Sequence, residues 1–271
     1  MPKTDDASLV VTEKVDHVQV IRINRPEARN AINAEVSSAL GAALSEANAN
    51  PSVRVVVLTG TGSAFSAGAD LKELARGLTA DSVHSPEHPE WHFGGIVRQW
   101  CDKPVIAAVN GHAMGGGLEI ALACDLIVAS TTSKFGFPEV SWGLFAAGGG
   151  AVRLHEFVGL RRSLEMLLTA DPIDAATAVS WGLINCVVAP DEVLEQAMIL
   201  AARIASHGPN AVRLTKKAVY RSATDGSMWS KDWGDDRTWN INDETTLVTF
   251  PSAEGIEGMA AFAEKREPRW E

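Results

Sequence analysis

The sequence predicts a layered α/β fold, and three observations carry that prediction. Two short runs, 53–59 and 105–109, are apolar almost throughout, as strands are when a sheet is covered on both faces. Each run enters a glycine-bearing loop and then a helical stretch. The first passes Gly68 to a helix from Asp70; the second passes Gly115, Gly116 and Gly117 to an apolar helix over 118–124. Two strand–loop–helix units in succession fit one α/β core with both loops at the same edge, a likeness of pattern rather than identity. Finally, 271 residues, 46% hydrophobic and 21% charged, are enough to bury such a core.

The elements follow in order. Residues 10–24 alternate through Val18, Val20, Ile21 and Ile23, which predicts a strand pair stopped by Arg25-Pro26. Asn30-Ala31-Ile32-Asn33 introduces a helix over 34–49 with Val36, Leu40, Ala43, Leu44 and Ala47 on one face, and Asn50-Pro51 ends it. Segment 77–93 has no period. His84, His88 and His92 recur every fourth residue, as metal ligands on a helix would, but Pro86 and Pro89 forbid that helix. The segment reads instead as a loop covering a ligand. Beyond the central glycines come a strand at 126–129, helices over 159–170 and 174–181, a strand at 186–188, and a helix from Asp191 with Val193, Ala197, Leu200, Ala201 and Ile204 on one stripe. From Pro209 the chain reads as helical: 209–221, a stretch with Trp229, Trp233 and Trp239, and 252–265 with Ile256, Met259, Ala260 and Ala263 on one face. A boundary near His207-Gly208-Pro209 divides a core, 1–207, from a helical region, 208–271, which lacks a core of its own and needs another subunit to pack on.

Composition narrows the function. A net charge of −10 argues against a nucleic-acid surface, and no apolar run approaches a membrane span. The start, MPKTDDASLV, is acidic where a signal or transit peptide is basic, and three widely spaced cysteines read as reduced, buried thiols. The expectation is a cytoplasmic soluble protein. No Lys-Ser/Thr follows Gly116-Gly117 as a P-loop requires, no GxGxxG follows a strand, and Ser66 lacks the GxSxG elbow. His112 reads as a loop or packing residue.

Two acids stand out. Glu119 lies just inside the apolar helix, where the neighbouring sequence offers it no Arg or Lys. A first-turn glutamate needs no function to be stable, since the helix dipole favours it by about 0.3–1 kcal/mol. Glu139 follows Pro138 among Phe135, Phe137, Val140, Trp142, Leu144 and Phe145, all core-type side chains, although a surface turn would also suit it. Two carboxyls in apolar settings near unpaired backbone N–H groups suit acid/base chemistry on an enolate. The amides hold the oxyanion, one carboxyl handles the α proton, and the other handles water at the β carbon. Such a pair titrates as a coupled unit.

At these residues the chain resembles the crotonase superfamily, most closely the enoyl-CoA hydratases. The likeness runs through NRPEARNAIN, SAFSAGADLKEL, VNGHAMGGGLEIALACD, FGFPEVSWGLFAAGGGAVRL and EGMAAFAEKREPRW. It implies a crotonase-type repeated ββα spiral core with a helical C-terminal trimerisation region, trimers usually pairing into hexamers. It also implies an acyl-CoA thioester as substrate, with coenzyme A part of that substrate and no separate cofactor or metal. By resemblance, the Ala69 and Gly116 N–H groups form the oxyanion hole. Glu119 and Glu139 are the catalytic acids, the first mainly activating water and the second exchanging the α proton. Ala69, Asp70, Leu71 and Lys72 line the CoA moiety, while Phe262 and Lys265 reach it from the C-terminal region, often across subunits. The chain departs from the family where Ala146 and Val152 replace a frequent Pro and Gln, in the bulk of Trp142 and Phe145, and in the Trp-rich stretch near 228–240. The activity implied is reversible syn hydration of a 2-enoyl-CoA. A dehydratase or isomerase for a specialised acyl-CoA of carnitinyl type, and a non-catalytic binding subunit of the same fold, are the alternatives.

Overall fold

Val10–Val15 (β1) and Val18–Ile23 (β2) form a hairpin whose register sets Val10 against Ile23, and Asp16 turns it at φ +51°. From β2 onward the sheet is parallel. Val55–Gly60 (β3) lies beside β2, and Val105–Val109 (β5), Leu126–Ser130 (β7) and Cys186–Val188 (β10) follow, in the order β1-β2-β3-β5-β7-β10. All residues of β3 and β5 are buried, as their unbroken apolar runs predict for strands covered on both faces. The computed structural model describes residues 8–70, 73, 83–225, 252, 253, 257, 264, 266, 269 and 270.

A second sheet was not legible in the sequence. The loops after β3, β5 and β7 each begin with a three-residue strand: Ala64–Ser66 (β4), His112–Met114 (β6) and Lys134–Gly136 (β8). Ile173–Asp174 (β9) completes the order β4-β6-β8-β9. What reads in sequence as strand–loop is therefore strand–strand in both units, with β4 and β6 parallel neighbours as β3 and β5 are.

Helices cover the large sheet. Ala34–Ala49 (α1) starts where Asn33 accepts the Val36 N–H at 2.9 Å, an N-cap of the expected kind. Gly116–Leu122 (α2) begins two residues before its sequence expectation and is buried along its whole length. Gly150–Val158 (α3) and Leu160–Thr169 (α4) meet at Gly159, φ +81°. The sequence suggests only the second of these helices, because the glycine run 148–150 masks the start of the first. Ala175–Trp181 (α5) is capped by Asp174. Val193–Ala205 (α6) lays Val193, Ala197, Ala201 and Ala205 on Val18, Val20, Val55, Val57, Ile106, Ala108 and Val128 of the sheet. A larger apolar layer, including Ile23, Leu58, Val109, Leu118, Ile120 and Phe135, fills the other face.

Pro209–Asp225 (α7) is tied back to the core by Lys216, whose Nζ donates to Asp125 Oδ2 at 2.7 Å and to the Lys103 carbonyl at 3.0 Å. The helix expected from Asp70 runs into residues outside the described ones, as do the Trp-containing stretch and most of 252–265. The described cysteines are free, with Cys101 and Cys124 buried and Cys186 half-buried. Among the described residues no helix is long and apolar enough to cross a membrane.

Lys103 closes α1. It is only 4% exposed, and its Nζ donates to the carbonyls of Ala47 (2.7 Å) and Asn50 at the helix end. Lys103→Met leaves the Ala47 carbonyl buried without a donor, while the Asn50 carbonyl keeps the Val53 N–H, and is expected to cost about 1–3 kcal/mol. Urea unfolding checks this as a lower midpoint at unchanged slope; an unmoved midpoint removes Lys103 as the helix stop.

Candidate active site

The site forms where the excursions after β3 and β5 touch. Beyond β4 the chain pairs with the approach to α1: Ile32 N–H donates to the Gly68 carbonyl and Asp70 N–H to the Ile32 carbonyl, each at 2.8 Å. In a parallel bridge of this kind, the residue between those two groups turns its own N–H away from the partner. Ala69 is that residue, and among the described residues its N–H donates no hydrogen bond. Gly68, at φ +88°, brings the two loops together; a Cβ there would lie 2.8 Å from both the Gly116 nitrogen and the Met114 carbonyl oxygen. Gly116 opens α2, so its N–H has no intrahelical acceptor, and none is recorded for it among the described residues. Two open amides thus sit on backbone segments in direct contact.

Glu119 projects from the first turn of α2 and is 4% exposed. Its Oε1 accepts the Gly150 N–H at 2.8 Å, and its Oε2 lies against Gly148, where any side chain would collide with it. Burial pushes its pKa up to about 7; the neighbouring Glu139 charge adds to the rise, while the Gly150 and Gly148 amides and the Arg153 guanidinium oppose it. Glu139 is the first residue of a short 3₁₀ turn, Glu139–Trp142. A Cβ at Gly115 would lie 2.9 Å from its Oε1, which places this carboxyl against the turn that carries the Gly116 amide. Burial raises its pKa too, and its Oε2 is buried with no hydrogen-bond partner among the described residues. The two carboxyls differ in their surroundings: Glu119 is met by the Gly150 and Gly148 amides and the Arg153 guanidinium, whereas Glu139 is met by the backbone N–H of its own residue.

Other expectations meet different outcomes. Phe135 and Phe137 are buried, but Val140, Trp142, Leu144 and Phe145 are 40–69% exposed and do not enclose Glu139. The 3₁₀ turn and Gly143 at φ +68° swing this segment outward, so its apolar side chains form an outer face. Asp70 is half-buried and its Oδ2 accepts from Arg25 at 3.1 Å. Leu71, Lys72, Phe262 and Lys265 lie outside the described residues. The three histidines do not converge. His88 stacks on Trp91 at 3.8 Å and bonds Glu90 at 3.0 Å, while the His84 and His92 rings face each other at 4.3 Å.

Three parts of the site have little or no sequence signal. Phe93 caps Gly116: it is 4% exposed, and a Cβ at Gly116 would strike its ring. A lone Phe in a Pro- and His-rich loop gives no pattern to read. Arg153, far from Glu119 in sequence, is the cation that the neighbouring sequence did not provide. The triple glycine 148–150 was visible, but not that it wraps a carboxylate.

A carboxyl with a raised pKa destabilises the fold once it ionises. The unfolded chain releases this proton near 4.5 and the folded chain near 7, so stability falls as pH rises between those values and is flat above. Glu119→Gln, which keeps an acceptor for Gly150, is therefore expected to stabilise the protein above pH 7. The gain is on the order of 3 kcal/mol, fading to nothing below pH 4.5. Melting temperatures of the two proteins across pH check this, and parallel curves would contradict it.

Comparison with known proteins bears on the same region. The family model described as Enoyl-CoA hydratase/isomerase matches residues 13–271. A crotonyl-CoA hydratase of Syntrophomonas wolfei is 37% identical over 265 residues, covering 95% of this chain and 96% of the relative. The crystal structure of an enoyl-CoA hydratase from Mycobacterium tuberculosis superposes with a TM-score of 0.87 at 40% identity, covering 97% of this chain and 98% of that one. A carnitinyl-CoA dehydratase from Mycobacterium avium is 46% identical with a TM-score of 0.77, covering 98% of this chain and 99% of that one.

Proposed function

The chain belongs to the enoyl-CoA hydratase/isomerase family, and from that premise we propose that it catalyses reversible syn addition of water to a 2-enoyl-CoA, giving a 3-hydroxyacyl-CoA. The observation that supports this most is the pair of coupled carboxyls, Glu119 and Glu139, set beside the open amides of Ala69 and Gly116. In this reading the thioester carbonyl oxygen accepts both N–H groups. As water adds, charge accumulates on that oxygen, and each preorganised donor lowers the barrier by about 3–4 kcal/mol. Glu119, ionised and held by Gly148, Gly150 and Arg153, takes a proton from water as the oxygen bonds the β carbon. Glu139, protonated, delivers its proton to the α carbon. Two O–H bonds break, one in water and one on Glu139, and the C=C π bond is lost; an O–H bond on Glu119, one C–O and one C–H bond form, and both groups act from one side of the double bond, which gives syn addition. Coenzyme A enters as part of the substrate, its moiety lined by Ala69, Asp70, Leu71 and Lys72, with Phe262 and Lys265 contributing from the C-terminal region.

We further propose that the chain assembles as trimers, paired into hexamers, in the cytoplasm, with 208–271 as the assembling region on the core 1–207. The exposed apolar side chains of Trp142, Phe145, Val152, Leu160 and Leu168 are of the kind that a second copy covers. A second reading, favoured by the 46% identity to a carnitinyl-CoA dehydratase, runs the same chemistry on a polar acyl-CoA in the dehydration direction.

Glu119→Gln and Glu139→Gln are each expected to lower kcat for hydration about 10²–10⁴-fold with little change in KM. Either variant working at the parental rate on crotonyl-CoA, with the parental enzyme active, removes that residue from the mechanism. A panel of short, long and polar acyl-CoA thioesters assigns the acyl class, and no turnover on any of them would favour a binding subunit instead.

The pH dependence has a definite sign. Glu119 must be ionised, so kcat/KM is expected to rise as pH passes about 7, and because the reaction also needs a proton on the coupled pair, to fall again where the pair loses its last proton. A rate constant flat from pH 5 to 9 would contradict the acid/base assignment.

A further inference from the structure

We propose that Arg153 is a positioning residue for this reaction: its guanidinium clamps the 148–150 loop against the Val97 carbonyl and holds Glu119 as the carboxylate. The inference rests on the reading of Glu119 as the base and goes beyond it. A cation one turn into α3 is at the end of a helix whose dipole disfavours positive charge. Arg153 nonetheless turns its side chain back toward that end and away from solvent. Its Nη2 donates to the Val97 carbonyl, and its Nη1 occupies the space where a Cβ of Gly149 would stand. Gly149 takes φ +109°, and its two neighbours hold the acid, Gly148 against Oε2 and Gly150 donating to Oε1. The guanidinium thus backs the loop whose other side grips Glu119.

Electrostatics agrees with that geometry. Arg153 favours the ionised form of Glu119, and Glu119 favours the cation in return. The other charged or titratable groups are accounted for. Glu139 acts on Glu119 against ionisation, the Gly148 and Gly150 amides act for it, and Tyr220 of α7 and Arg98 act on Arg153 with opposite signs. Val97 follows Phe93, the residue that caps Gly116, so one side chain ties this loop, α3 and the acid together.

Arg153→Gln keeps an N–H for Val97 and removes the charge; Arg153→Lys keeps the charge. For Arg153→Gln the acid limb of kcat/KM is expected to move up by about one pH unit, lowering the rate at pH 7 about fivefold. The ratio to the parental enzyme should climb toward one as pH rises, with KM within about twofold. Arg153→Lys should leave the limb in place. Arg153→Met, made in parallel, repeats the charge test with a different side chain, and melting curves establish that each variant is folded. A limb that stays put in the neutral variants, a rate loss equal at every pH, a lysine variant that shifts as far as glutamine, or loss of folding in both neutral variants overturns the proposal. Glu119→Gln is assayed alongside. If it hydrates at the parental rate, the base assignment itself falls, whereas an inactive Glu119→Gln with an unmoved limb in Arg153→Gln refutes only the role of Arg153.

Discussion

The approach of Gly68 to the Gly116 nitrogen, close enough that no Cβ fits between, is the contact on which the site depends. It follows from topology. β3 and β5 are parallel neighbours, so the short strands after them, β4 and β6, are neighbours as well, and the chain leaves both at one edge. One of the two amides is left open by the alternation of a parallel bridge at Ile32, the other by the start of α2. Neither needs a special side chain. What the arrangement needs is the absence of side chains where the loops cross.

The same economy explains how two acids are kept in an apolar place. Burying a carboxyl among hydrophobic groups is unfavourable by several kcal/mol unless donors meet it or it keeps its proton. Glu119 meets the first condition through Gly148 and Gly150, whose lack of side chains lets the backbone reach the oxygens. Glu139, whose Oε2 is buried with no hydrogen-bond partner among the described residues, is pushed by burial toward the second. The surrounding scaffold tolerates this because the large sheet is filled on both faces, by α6 on one side and the α1–α2 layer on the other. Local instability at the acids is set against that core.

Legibility in the sequence tracked the length and periodicity of each element. α1 was readable to the residue, since Asn33 and Asn50 bracket a clear apolar stripe, and β3 and β5 declared themselves as unbroken apolar runs. Strands of three residues such as β4, β6 and β8 carry no period, so the second sheet looked like loops. The helix α3 hid behind its own glycines. Around Glu139 the error was of another kind: hydrophobic identity suggested burial for Trp142 and Phe145, whereas the turn at Gly143 points them outward. Glu119 and Glu139 were found as candidates, but their neighbours were not. Arg153 and Phe93 reach the site only through tertiary packing, which local pattern does not encode.

The difference between the two carboxyls explains why one buried pair serves a reversible reaction. If both were equally supplied with donors, both would ionise near neutral pH and the proton for carbon would be missing; if neither were, no base would remain. Like charges close together already oppose double ionisation, as the action of Glu139 on Glu119 indicates. The donors at Gly148 and Gly150 favour the ionised form of Glu119 against its burial. With hydration the single proton passes from Glu139 to carbon while Glu119 gains one from water, so the pair ends in the mirror arrangement. That arrangement is what dehydration requires at its start, by microscopic reversibility. A modest bias between the acids therefore suits the site better than a strong one. Glu119, raised to about 7 rather than held in the ordinary carboxylate range, is poised between its two states.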